Sequence, residues 1–310
     1  MVALSQQLLS CSWRPSYDTG SEGIDSLVNI ILLLRQKALL IKLFILIALW
    51  MVSFVPVYPS LVDTWLNHGD NSHGILVPFI AIFFIWQKRS ELKLARISTS
   101  NWGAIILAGS MVLYLLGFAS GTDFVSHIMI VFSLIGLLLF TLGKEVVTVL
   151  AFPLLFLLFM VPVPDTIQGV VAFPLQIFAT KAAYVLIQTL SIPVHREGNM
   201  LYFAQTQLEV AQACSGIRSI AAFTVLSVVF AYVLDKGWGR RVILLASAIP
   251  LALFTNIVRI TTTGILAHHY GSAIADSFLH EFSGLVVFAF GFVLLLSEFI
   301  LLNKIGNRNE

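Results

Sequence analysis

Apolar residues along this chain gather in long runs, and polar residues fall in short clusters between them. Runs of roughly 17 to 25 mostly apolar residues are long enough to cross a hydrocarbon core. They occupy 38–57 ("ALLIKLFILIALWMVSFVPV"), 74–87 (a short one), 102–119, 124–142, 146–163, 217–234, 242–263 and 284–302. The pattern predicts an all-α polytopic membrane protein with about eight transmembrane helices. A ninth stretch, 166–192, is apolar but punctuated by Gln168, Gln176, Lys181, Gln188 and Pro174.

Basic residues beside short loops orient these spans, because cytoplasmic loops retain Lys and Arg. Arg35 and Lys37 precede the first span, and Lys88, Arg89, Lys93 and Arg96 follow the second. Both places are therefore expected inside and the loop 58–73 outside. Lys144 again lies inside, residue 164 outside, and "DKGWGRR" at 235–241 inside. Residues 165–216 then begin and end outside, so 166–192 is not expected to cross once. Its spaced polar positions predict an amphipathic helix on the outer face. The following "EGN", "MLYF" and "LEV" predict a small β-hairpin leading into Cys214. The last span returns inside, where Lys304 and Arg308 lie, so both termini are expected in the cytoplasm.

Composition agrees with this map and narrows the partners. Of 310 residues 58% are hydrophobic and 11% charged, with a mean hydropathy of +0.93, more apolar than one soluble core needs. A net charge of +2 gives no reason to expect nucleic acid. The lipid bilayer is the first partner. "LLSC" at 8–11 lacks the basic residue and apolar length of a signal peptide, so 1–34 reads as a polar cytoplasmic tail. Residues 35–310 read as a single integral membrane domain. The two cysteines, Cys11 and Cys214, are expected on opposite sides of the membrane and cannot pair.

The same map carries Cys214, Arg259 and His280 to the outer face. A thiol becomes a nucleophile when nearby cations or a helix N-terminus lower its pKa, and the helix expected from about Gly216 offers such an end. His280 can move a proton to a leaving amine, and Arg259 can steady an oxyanion. Each residue also has a plainer reading: the cysteine as an apolar filler, the arginine snorkelling to head groups, the histidine as interfacial. A buried arginine is costly enough to expect a partner, which weighs against the plain readings taken together. Arg218 shares a helical face with Cys214 and stands second, as a stabiliser of thiolate or substrate carboxylate. Asn256 shares Arg259's face and can bond its guanidinium. His73 and Asp70 either reach the same site or belong to a polar, helix-capping loop. His268 and His269 read as interfacial.

These residues carry a resemblance. "ACSGIR" at 213–218, "NIVRI" at 256–260 and "HEFSG" at 280–284 resemble the three motifs of the exosortase/archaeosortase family. "DNSHGILVP" at 70–78 and "PLQIFATKAAYVLIQTLSIPVHREGN" at 174–199 are also similar to exosortase sequence. The likeness runs over most of 45–302. It implies a multi-pass bacterial membrane enzyme that cleaves exported proteins at a C-terminal Pro-Glu-Pro motif, followed in the substrate by a transmembrane helix and a basic tail. By resemblance Cys214 is the nucleophile, Arg259 the arginine of the second motif and His280 the histidine of the third. Ser215 and Gly216 belong to the first motif. A motif glutamate in the substrate needs a cation, for which Arg196, Arg218 and Lys181 are candidates.

The implied enzyme is an inner-membrane endopeptidase or transpeptidase, depending on whether water or an as yet unidentified amine acceptor resolves a thioacyl intermediate, and its family is linked to exopolysaccharide-associated surface sorting. A secondary transporter and a non-catalytic scaffold for polysaccharide export remain the alternatives from other classes. No cofactor is expected, and no metal, since one thiol and scattered histidines lack zinc-ligand spacing.

Overall fold

The computed structural model describes residues 38, 41–204, 206–210, 216–234, 237–271 and 278–307, the side chains of 278–283 and 306–307 excepted. Cys11, the polar tail 1–34, Cys214 and Ser215 lie outside the described residues. The chain divides at Pro56. Before it, α1 (Ile41–Ser53) is a single apolar helix exposing Phe44, Leu49 and Val52.

The second part begins with α2 (Tyr58–Asn67) and a 3₁₀ helix, Gly69–Ile75, that runs on into α3 (Leu76–Gln87). The expected outer loop 58–73 is thus largely helical. Pro59 starts α2, where its missing N–H costs nothing. After the short α4 (Arg89–Leu94) come α5 (Asn101–Ala119) and α6 (Asp123–Thr141), each within a residue of its expected span. These two pack backbone to backbone. A Cβ on Gly103 would overlap the Phe140 backbone nitrogen, and one on Gly136 would stand 2.6 Å from the Leu107 nitrogen. Small residues at such crossings are how membrane helices gain contact where lipid gives no hydrophobic drive.

The expected span 146–163 is broken into α7 (Lys144–Val149), α8 (Ala151–Phe156) and a 3₁₀ turn, Leu157–Met160. Trp65 Nε1 ties the far end by donating to the Met160 carbonyl at 2.8 Å. The next helix, α9 (Asp165–Thr189), is 25 residues long and meets the length and composition of a span. Its polar residues correct the amphipathic expectation. They do not form one water-facing stripe, because Gln168 and Gln176 are buried while Lys181 and Gln188 are exposed, as are the apolar Val170, Phe173, Phe178 and Val185. The reason is backbone chemistry: Gln168 donates to the Val163 carbonyl at 2.6 Å, and Gln176 to the Val210 carbonyl. Carbonyls outside a helix or ladder need donors when buried, and α9 supplies them.

The expected hairpin has a third strand. β1 (Val194–Glu197), β2 (Met200–Phe203) and β3 (Gln207–Glu209) form an antiparallel sheet in that order. Glu197 pairs with Met200 across a two-residue turn whose first position, Gly198, has φ +59°. A turn that matches strand twist needs that left-handed conformation, which glycine takes without a Cβ penalty. Alternation turns Leu201, Phe203 and Leu208 inward, where with Val210 they meet Ala179, Ala183 and Ile187 of α9 and Ile260.

Three helices complete the bundle: α10 (Ile217–Val233), α11 (Trp238–Tyr270) and α12 (Phe278–Asn307). Phe223, Leu244, Ala248, Ala252 and Leu295 form their shared core. At 17 residues α10 spans only about 25 Å, and at 33 residues α11 reaches about 50 Å. Both helices α11 and α12 extend into the expected outer loop 264–283.

Among the described residues six helices are long and apolar enough to cross a membrane, or seven if α1 and α2 count as one span. The count differs from the sequence reading because α7–α8 is broken and α10 is short, while α9 qualifies. This is an all-α, multi-pass membrane protein with one small sheet.

The basic residues used to orient the spans meet at one end of the Val57–Glu310 part. Lys88 bonds Glu91 at 2.6 Å, and this hydrogen bond holds its ammonium above the usual range, with Tyr232 of α10 also beside it. Glu145 accepts from the Arg96 amide at 2.9 Å, Arg241 donates to the Leu234 carbonyl at 2.8 Å, and Arg240 to that of Leu302 at 3.2 Å. The sheet belongs to the opposite half of α11.

Candidate active site

Gly216 is the N-cap of α10 and has φ +87°, a conformation costly for residues with a Cβ. A Cβ there would stand 3.2 to 3.3 Å from the Asn256 side chain, so the end of "ACSG" rests directly on α11. Asn256 is 2% exposed, which makes that contact a buried one. On the upstream side Val210 is pinned three ways. Its amide donates to the Asn199 carbonyl at 3.0 Å, and its carbonyl accepts from Asn199 Nδ2 at 3.2 Å and from Gln176. Residues 211–215, Cys214 among them, are therefore bracketed by two anchored points. One anchor is the sheet with α9, and the other is Asn256.

Arg259 lies one turn beyond Asn256 and is half-buried. Its guanidinium reaches α12: Nη2, Cζ and Nε are 3.5, 3.6 and 3.9 Å from where a Cβ on Gly284 would stand. His280 occupies a backbone position one turn before Gly284, on the same helix face. Its side chain lies outside the described atoms. The second motif thus touches the first at Asn256–Gly216 and the third at Arg259–Gly284.

Arg218, in the first turn of α10, has a partner that sequence reasoning did not assign to it. Its Nε donates to Asp70 Oδ1 at 3.3 Å, with both side chains partly exposed. The guanidinium also lies so close to Gly69 that a side chain there would overlap it. Two supporting candidates, Asp70 and Arg218, are brought together, and the 3₁₀ helix is latched to the start of α10. His73 is half-buried on that 3₁₀ helix, within hydrogen-bonding reach of the Asp70 and Phe159 backbone. The spacing of "DNSHG" contained the signal, an acidic residue beside glycine, but nothing local showed which cation it meets.

Other candidates are used elsewhere. Arg196 donates to the Gly198 carbonyl at 2.7 Å and closes its own hairpin. Lys181 is exposed on α9. His268 lies 5.9 Å, ring to ring, from Phe203 and 5.0 Å from His269, so it packs between α11 and the sheet.

No curated protein and no solved structure matches the chain. The family model described as transmembrane exosortase matches residues 65–297, which holds all three motifs, the Asp70–Arg218 latch and the sheet. With most of its length covered by that match, the chain belongs to the transmembrane exosortase family.

Proposed function

We propose that this exosortase is a cysteine endopeptidase and transpeptidase of the bacterial inner membrane, acting at its outer face on exported proteins that carry a C-terminal Pro-Glu-Pro sorting signal. The observation that carries the reading is the double contact of the second motif, Asn256 against Gly216 and Arg259 beside Gly284. It supports a single site built from three segments that are far apart in sequence.

The chemistry assigned to that site balances without a cofactor. The Cys214 thiolate attacks a substrate carbonyl carbon, forming a C–S bond and an oxyanion that Arg259 stabilises. One such donor contributes roughly 3 to 4 kcal/mol to a transition state of this kind. His280 gives its proton to the departing amine as the C–N bond breaks, leaving a thioester. An amine or water then attacks that carbonyl, its proton passes to His280, and the thiolate leaves. The start of α10 just after Cys214 favours the anion there. The Asp70–Arg218 pair holds that helix start in place, so Arg218 acts on positioning rather than as the oxyanion donor. The basic end formed by Lys88, Arg96, Lys144 and Arg241 faces the cytoplasm in this reading, with the sheet on the outer side.

The test is co-expression with a candidate substrate bearing the sorting signal, the wild type beside Cys214→Ser. Loss of substrate mass in the wild type alone, with a covalent adduct on Cys214, is the expected result. Equal processing by both chains overturns the thiol's role and returns the transporter and scaffold readings.

A further inference from the structure

A second polar feature lies apart from the three motifs, where the turn between α5 and α6 meets the start of α9. A cavity of about 390 Å³ opens there, lined by Thr64, His68 and Asn71, by Thr122, Asp123 and His127, and by Asp165 among others. That volume falls within the range of small-molecule sites. Its floor and mouth differ in kind. Asn71 and His127 are 8% and 2% exposed and form the floor, whereas Asp123, Asp165 and His68 are exposed around the opening.

The two carboxylates by themselves would need no ligand, since each stands in the first turn of its helix, where a negative charge is favoured by the helix dipole. Asn71 is different. Its backbone amide bonds the His68 carbonyl at 2.9 Å, but among the described residues no group pairs with its side-chain amide, and the residue lines the cavity. With the residue only 8% exposed, the cavity is where that amide can find a partner. His127, by contrast, has Ser60 Oγ at 3.2 Å from its Nε2. No three His, Cys, Asp or Glu side chains cluster among the described residues in a way that could hold a metal ion.

We propose that this cavity binds a small primary-ammonium group, with Asp123 and Asp165 balancing the charge at the mouth and the Asn71 amide oxygen accepting an N–H at the floor. An ammonium offers three donors and no acceptor, which matches two carboxylates and an amide oxygen and does not match a carboxylate or phosphate ligand. The donor can come from a soluble amine or from a phosphatidylethanolamine head group, because the site lies at the end of a membrane bundle. The proposal does not depend on the cysteine chemistry.

The experiment uses the full wild-type chain in phosphatidylcholine nanodiscs, whose head groups carry no N–H, with no protein substrate present. Glycinamide is titrated calorimetrically beside N-acetylglycinamide, which lacks the ammonium. Glycinamide is expected to bind at least tenfold more tightly than its acetylated form, and Asp165→Asn and Asn71→Leu are each expected to weaken it at least tenfold. Asp63→Asn, an exposed α2 carboxylate bonded to Asn67 and outside the cavity, is expected to leave it unchanged. Repeating the titration in phosphatidylethanolamine nanodiscs separates the sources: unchanged affinity marks a soluble amine, and weakened affinity marks the head group as competitor. No glycinamide binding, equal binding of the acetylated form, or an equal loss in Asp63→Asn overturns the proposal. Should Asn71→Leu fail to fold, the exposed Asp165→Asn still decides.

Discussion

At the scale of single residues, two glycines govern how the motifs meet. Gly216 combines φ +87° with a Cβ position 3.2 Å from Asn256, so Gly216→Ala meets both backbone strain and a tight contact. A cost of about 1 to 2 kcal/mol is expected from the backbone alone. Processing of a co-expressed substrate is expected to fall while the amount of membrane-inserted protein changes little. Gly284 is graded instead. At 3.5 Å from the Arg259 guanidinium a methyl group is in ordinary contact, whereas a branched side chain must displace it. Gly284→Ala is therefore expected to process normally and Gly284→Leu at least tenfold more slowly, measured at matched expression. Similar loss in both would show that the contact with Arg259 is not what matters. These positions were visible in sequence as members of motifs. Their reasons were not, because each glycine answers to a side chain on another helix.

At the scale of elements, α9 and the sheet act through hydrogen bonds to the strand end that precedes Cys214. Gln176→Leu removes one of two side-chain donors to the Val210 carbonyl, and Asn199 still supplies the other. The expected stability loss is modest, about 0.5 to 1.5 kcal/mol, read as a lower melting temperature in detergent. The double change Gln176→Leu with Asn199→Ala is expected to cost more than the two singles combined, since it leaves that buried carbonyl unbonded by side chains. The α5–α6 pair depends on close approach of backbones rather than on hydrogen bonds. Gly136→Leu would drive a side chain into the Leu107 backbone, and it is expected to lower the folded yield more than any change at Gly198, where a Cβ meets nothing. Element existence was legible from apolar run length: α5 and α6 match their runs to within a residue. The orientation of α9 was not, because the period of its polar residues is the same whether they face water or buried carbonyls.

At the scale of the whole molecule, the charge asymmetry makes a topological prediction. On a chain with both cysteines replaced, a single cysteine at Gly198 is expected to react with a membrane-impermeant maleimide in cells whose outer membrane is permeable. One at Lys144 is expected to react only after the inner membrane is opened. The reverse pattern would invert the map and put the motifs on the cytoplasmic side.

The sequence by itself determined the solvent of the fold and the motifs that mark its family. Hydropathy is additive along a chain, so apolar runs show a membrane protein without any knowledge of packing, and three short motifs were recognisable because each is local. Only the tertiary structure decided which charges and amides meet. Arg218 had several possible partners until the 3₁₀ helix carried Asp70 to it. Asn71 carried no signal of its own within the loop 58–73 until the starts of α6 and α9 met it around one cavity. Gln176 read as a surface residue until the Val210 carbonyl came within its reach. Each depends on groups far apart in sequence being brought within a few ångströms, and composition and periodicity carry no term for that.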